Sequence, residues 1–176
     1  MLVAGSLVAP TNAHDIGANA NANAQDVRVL LSTKLGEHVM LAASATGAAL
    51  GGREAQFKAA AKSLDDNSVD ISKAIGQVYG KAAEDAFLPL WRKHIGFFVD
   101  YTNGVAAKDK PKSDKAIADL VQYTEDFGAF LNSANPNLPK DAVASLVKDH
   151  ALGLKAVVDA QAAGDPKKQF AELRTA

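Results

Sequence analysis

Three histidines, His38, His94 and His150, recur at one fixed interval of fifty-six positions. Their surroundings keep the same register. Leu31, Phe87 and Val143 lie seven residues before each histidine, and Leu35, Trp91 and Val147 three before. Val39, Ile95 and Ala151 follow by one, and Ala42, Phe98 and Leu154 by four. The later halves align too: Leu64 with Leu120, Ser68 with Thr124, Ile71 with Phe127, Ile75 with Leu131. A fixed period with matching apolar positions marks a repeated supersecondary unit, and this limits the fold more than any other feature.

Each unit reads as a helical hairpin. Apolar residues recur at i, i+3, i+4 and i+7, which is the helical period. The first helix is expected over about 26–50 and ends at Gly51-Gly52, because glycine accepts left-handed C-terminal geometry. The second runs to about Tyr79 and closes at Gly80. The next pair spans about 82–107 and 112–133, with Lys108-Asp109-Lys110-Pro111 as its turn. Asn135 to Pro139 holds two prolines and reads as a linker. A fifth helix follows to about Ala162. Gly164-Asp165-Pro166 then supplies a stop, an N-cap and a first-turn proline. The expected fold is all-α: an up-down antiparallel bundle over residues 25–176, with hairpins 25–80 and 81–136 and a partial one at 137–176. The third unit stops at Ala176, well short of a full period. That implies a fragment, or a cell-surface or self-association partner covering the incomplete hairpin.

The histidines sit in the apolar stripe of their helices. His94 has Leu90, Trp91, Ile95, Phe98 and Tyr101 around it, and His150 has Leu146, Val147, Ala151, Leu154 and Val157. His38 is looser, with Lys34, Leu35, Val39, Ala42 and Ala45. A buried imidazole needs partners for its ring nitrogens. Adjacent helix axes lie about 8–10 Å apart and diagonal ones roughly 13 Å, so two inward imidazoles could share one ion or sandwich a haem. Imidazole suits zinc, copper, iron and nickel. The metal-ligand candidates are therefore His38, His94 and His150. Glu37 and Asp149 precede their histidines by one residue and turn about 100° away on a helix. The competing reading is that the histidines only hydrogen-bond in the core and fix the register.

Composition removes other classes. The chain has no cysteine, so disulfides, thiolate metal sites and cysteine nucleophiles are excluded. Net charge is −1, which gives no electrostatic case for nucleic acid. No apolar run is long enough for a membrane span. The acidic stretch Asp65 to Asp70 lacks the glycine and terminal glutamate of a calcium loop, and reads as a solvated face. No catalytic motif is present, and no enzyme is expected. Residues 1–24 read as a signal-derived leader and spacer. They comprise the apolar run Leu2 to Ala9, Pro10, small residues to Ala13, and an alanine–asparagine tract. Export follows from that reading. His14, exposed after cleavage at Ala13, would be a minor Cu(II) site.

Three strings carry a resemblance: Leu35-Gly36-Glu37-His38-Val39-Met40-Leu41, Val78-Tyr79-Gly80, and Leu90-Trp91-Arg92-Lys93-His94-Ile95-Gly96-Phe97-Phe98-Val99-Asp100-Tyr101. Over roughly residues 26–176 the chain resembles secreted bacterial helical-repeat proteins often labelled copper amine oxidase-like. The resemblance is to their helical region. It brings no oxidase module, catalytic domain or tyrosine-derived cofactor. Members tend to continue with a helix bearing a Tyr-Ala-His-Met-like segment, which would begin about where Arg174-Thr175-Ala176 stands. The leading expectation is a secreted, non-catalytic protein that binds a transition metal, copper favoured, through the three histidines. The alternatives are a structural or interaction repeat of the cell surface, and haem binding by two histidines.

Overall fold

The structure is a computed structural model that describes residues 13–176, with side chains from residue 24 onward. Six helices account for the described residues: α1 (Ala13–Leu50), α2 (Glu54–Tyr79), α3 (Lys81–Ala107), α4 (Lys110–Ala134), α5 (Lys140–Ala162) and α6 (Pro166–Leu173). The expected all-α antiparallel bundle is the fold. The start of α1 differs from expectation. The leader reading and His14 lie outside the residues whose side chains are described, yet the backbone from Ala13 already belongs to α1. The alanine–asparagine tract expected as a spacer is therefore helical. Alanine is the best helix former, and extending an existing helix is far easier than starting one.

The sequence period is written into the backbone. The even helices begin at residues 54, 110 and 166. Just before them, Gly52, Lys108 and Gly164 hold φ of 66°, 55° and 67°. These left-handed residues end the odd helices, and two of the three are glycine, which bears that geometry without strain. Asp109 and Asp165 then cap α4 and α6 by accepting from the backbone N–H of Lys112 and Lys168. Arg53 holds the same register and does a different job. Its guanidinium donates to the Gly47 carbonyl and to Gln56, tying α1 to α2.

Helix α2 packs against α1 and α3, α4 against α3 and α5, and α6 against α5. Helix α1 closes onto α5, and α3 also touches both α1 and α5. The odd helices thus form an inner triangle of like direction. Small residues on α1 permit this approach: Ala43, Ala45 and Ala48 are buried, while α3 presents Phe98 and Tyr101. The main core cluster joins Ile71 and Ile75 of α2, Phe87 and Trp91 of α3, and Tyr123 and Phe127 of α4. A second cluster joins Phe98, Leu120, Ala151 and Leu154.

Helices α4 and α5 meet at Gly128. A Cβ there would stand 2.6 Å from the Lys140 carbonyl oxygen and 3.2 Å from the Ala144 Cβ. Gly128→Ala is expected to lower the unfolding free energy by about 1–3 kcal/mol, because backbone must move to admit the methyl group. Gly96→Ala is the control, since nothing lies within 4 Å of its added Cβ. It is expected to raise stability by up to about 1 kcal/mol through helix propensity. Urea denaturation of both variants checks the pair.

Candidate functional site

The inner triangle brings two of the three repeat histidines together. His38 of α1 is 2% exposed and His94 of α3 is 5% exposed. Their Nε2 atoms are 3.3 Å apart. Trp91 flanks both rings, with centroids 5.0 Å from His38 and 4.5 Å from His94. Tyr123 of α4 lies 5.1 Å from His94 on another side. The inward direction expected for His38 and His94 is what the helices impose.

His150 departs from the expected trio. It is only half-buried, and Leu146, one turn before it, is 71% exposed. Its Nδ1–H donates to the Ala176 carbonyl at 2.7 Å, so the segment after α6 holds the ring. Among the described residues, no group of three His, Cys, Asp or Glu side chains is placed to share one metal ion. The pair is assembled, and His150 stands beside it on the wall of the same cavity.

Both paired histidines are held neutral. Burial is the main cause that pushes His38 down to about 4, with the nearby His150 adding to it and Asn67 opposing. Burial pushes His94 well below its ordinary value, with His38 and His150 adding to the effect and the Trp91 backbone opposing it. The two Nδ1 atoms lack a formed hydrogen bond. Each nevertheless has an oxygen acceptor in its neighbourhood. Asn67 spends its Nδ2 on the Lys34 carbonyl and on Glu37 Oε2, both at 2.9 Å, which leaves its buried Oδ1 as the group for His38. The Trp91 carbonyl serves His94 from one turn earlier. His150 Nδ1–H already has its carbonyl. The 3.3 Å Nε2···Nε2 contact is itself a hydrogen-bond distance, so in the metal-free pair one Nε2–H donates to the other. Two lone pairs so close repel unless a proton or a cation lies with them.

Asn67 and Tyr123 carry no signal of their own in the sequence. Asn67 falls inside the acidic stretch expected to be a solvated face, yet it is 2% exposed. The repeat holds the clue. Asn67 stands at the same offset from His38 as Tyr123 does from His94. Each histidine therefore meets a buried polar side chain from the next helix. Glu37 has a role too, though not as a ligand: it braces Asn67 and pairs with Lys34 at 3.0 Å.

The histidine pair is a partition. On one side is a space of about 40 Å³ lined by Ala42, Ala45, Leu64 and Phe98 among others. On the other is a cavity of about 540 Å³ walled by helices α1 to α5 and open to solvent on one side. No family model matches the chain, and none of the curated proteins or solved structures compared with it matches either.

Proposed function

We propose that the protein binds a transition-metal ion through His38 and His94, with His150, on the wall of the same cavity, as a further ligand that must move to join them. The observation that carries this reading is the 3.3 Å Nε2···Nε2 separation of two buried, neutral imidazoles. Metal bonds of about 2.0–2.1 Å put two nitrogens about 3.3–3.4 Å apart on a tetrahedral centre. A square-planar ion would draw them to about 2.9 Å. The spacing therefore favours a tetrahedral d10 ion, Cu(I) or Zn(II), and the family resemblance favours copper. The same closeness favours a small shared ion over a haem, whose macrocycle would have to part α1 from α3. The protein's role is then metal binding without catalysis, and the resemblance supports a secreted setting.

Calorimetric titration of the full chain with Zn(II), and with Cu(I) under a reducing atmosphere, tests this. One equivalent is expected, with binding lost in His94→Ala and weakened in His150→Ala. Asn67→Ala is expected to weaken it about 10–100-fold, the usual effect of removing a partner that orients a ligand. Because His38 takes a proton only near pH 4, binding should persist to about pH 5 and fall below it. No heat, or binding unchanged in His94→Ala, leaves the histidines as core residues and sinks the reading.

A further inference from the structure

We propose that the cavity of about 540 Å³ is a binding site for an uncharged, largely apolar small molecule with an aromatic or aliphatic body. This does not rest on the metal reading. Folded cores hold few voids larger than a water molecule, because close packing is favourable. This cavity reaches into the core from an open side, and its size falls in the range of about 300–1,000 Å³ typical of ligand sites. Its wall names the ligand's chemistry. Val39, Ile75, Phe87, Leu120, Phe127 and Leu131 contribute from four helices, and among the described residues no Lys, Arg, Asp or Glu side chain lines it. Such a wall gives a charged ligand no carboxylate, ammonium or guanidinium partner, and His150 is the one imidazole on it outside the buried pair.

Water is a poor occupant for the same reason. An ordered water needs two to four polar partners, and this wall offers few. Those it has are specific. The rings of Trp91 and Tyr123, 8% and 3% exposed, line the cavity, and their Nε1–H and OH are buried without a partner. Unpartnered donors inside an apolar wall are the mark of a ligand site that carries one or two orienting groups. The exposed side chains of Leu146 and Leu35 stand at the rim, beside His150 and Ala176, and give the ligand its way in.

Trp91 is the sole tryptophan of the chain, so its emission reports occupancy directly. The probe is prodan, an uncharged naphthyl ketone whose own emission shifts to the blue in apolar surroundings. The full chain, treated with EDTA so that metal plays no part, is titrated with prodan while Trp91 is excited. Saturable one-to-one quenching with energy transfer and a blue shift is expected. Ala151→Phe and Val39→Phe each push a ring into the cavity, and are expected to weaken binding roughly tenfold or more. Circular dichroism identifies which variants are folded, and either one suffices. Ionised decanoate is expected not to displace the probe. Absence of saturable quenching, or undiminished binding in a folded filled variant, overturns the site. Displacement by decanoate overturns the assignment of an uncharged ligand. A chain that binds prodan and no metal keeps this inference while losing the metal one.

Discussion

Replacing Phe87 with alanine is expected to lower the unfolding free energy by about 3–5 kcal/mol, more than any other substitution considered. Phe87 is 1% exposed. Its ring stacks on Trp91 at 5.1 Å and meets Phe127 and Phe130 at 6.1 and 6.2 Å. Truncation removes these contacts and enlarges a cavity that is already large, so collapse cannot recover the loss. The counterparts Leu31 and Val143 hold the same place in the other repeats but are only half-buried. The reason is position: α3 is flanked by α2 and α4 and touches α1 and α5, whereas α1 and α5 stand at the seam where the ring closes. Leu31→Ala is therefore expected to cost about half as much or less. Urea denaturation followed by Trp91 fluorescence measures both. Equal costs for the two variants would mean that the central repeat is not the core of the bundle.

The metal-free protein is expected to lose about 3 kcal/mol of stability between pH 6.5 and pH 4 through His38 alone. In the unfolded chain His38 takes up a proton near pH 6.5; in the folded chain it does so only at about 4. Between those values protons bind the unfolded state and favour it. Stability is complete above pH 6.5 and declines steadily as the pH falls, with His94 adding in the same direction. The carboxylates Glu37 and Asp70 are held below their ordinary range by hydrogen bonds to Asn67 and Lys34, and their contribution is lost only at lower pH. The two effects thus occupy different windows. Denaturation at half-unit steps in the presence of EDTA resolves them, and His38→Gln should shrink the loss in the upper window to the share of His94 while sparing the lower. A wild-type curve level from pH 7 to pH 5 would refute the buried neutral pair.

Much of this architecture was legible in the residues. The histidine spacing gave the unit, and Gly51-Gly52, Gly80 and Gly164-Asp165-Pro166 marked helix ends within a few residues of where they fall. That inward histidines could converge was legible, but the direct 3.3 Å contact of His38 with His94 was not. Diagonal spacing leaves room for an ion or a haem between such rings, and the run of buried alanines on α1 lets α3 come in closer than that. Nor could periodicity separate His150 from its equivalents. Its stripe is as apolar as that of His94, but the groove over α5 is covered by a helix of eight residues, not of 25. Asn67 was concealed because its neighbours Asp65 and Asp66 are solvated, and a mid-helix asparagine shows its partners only once the helices are packed.

The seam between α1 and α5 has a consequence for the way such a chain can change. Gln161 donates to the Ala43 carbonyl and accepts from Thr46, joining residues 118 and 115 positions apart. An open array of hairpins contacts only its neighbours, so its stability is close to a sum over units and its length can drift. Here the first unit touches the third. Closing so long a loop carries an entropic cost that the hairpins do not, so the seam is expected to exchange its amide protons sooner than the hairpin cores. A fourth hairpin could not simply be appended inside the ring: it would have to pry α5 from α1.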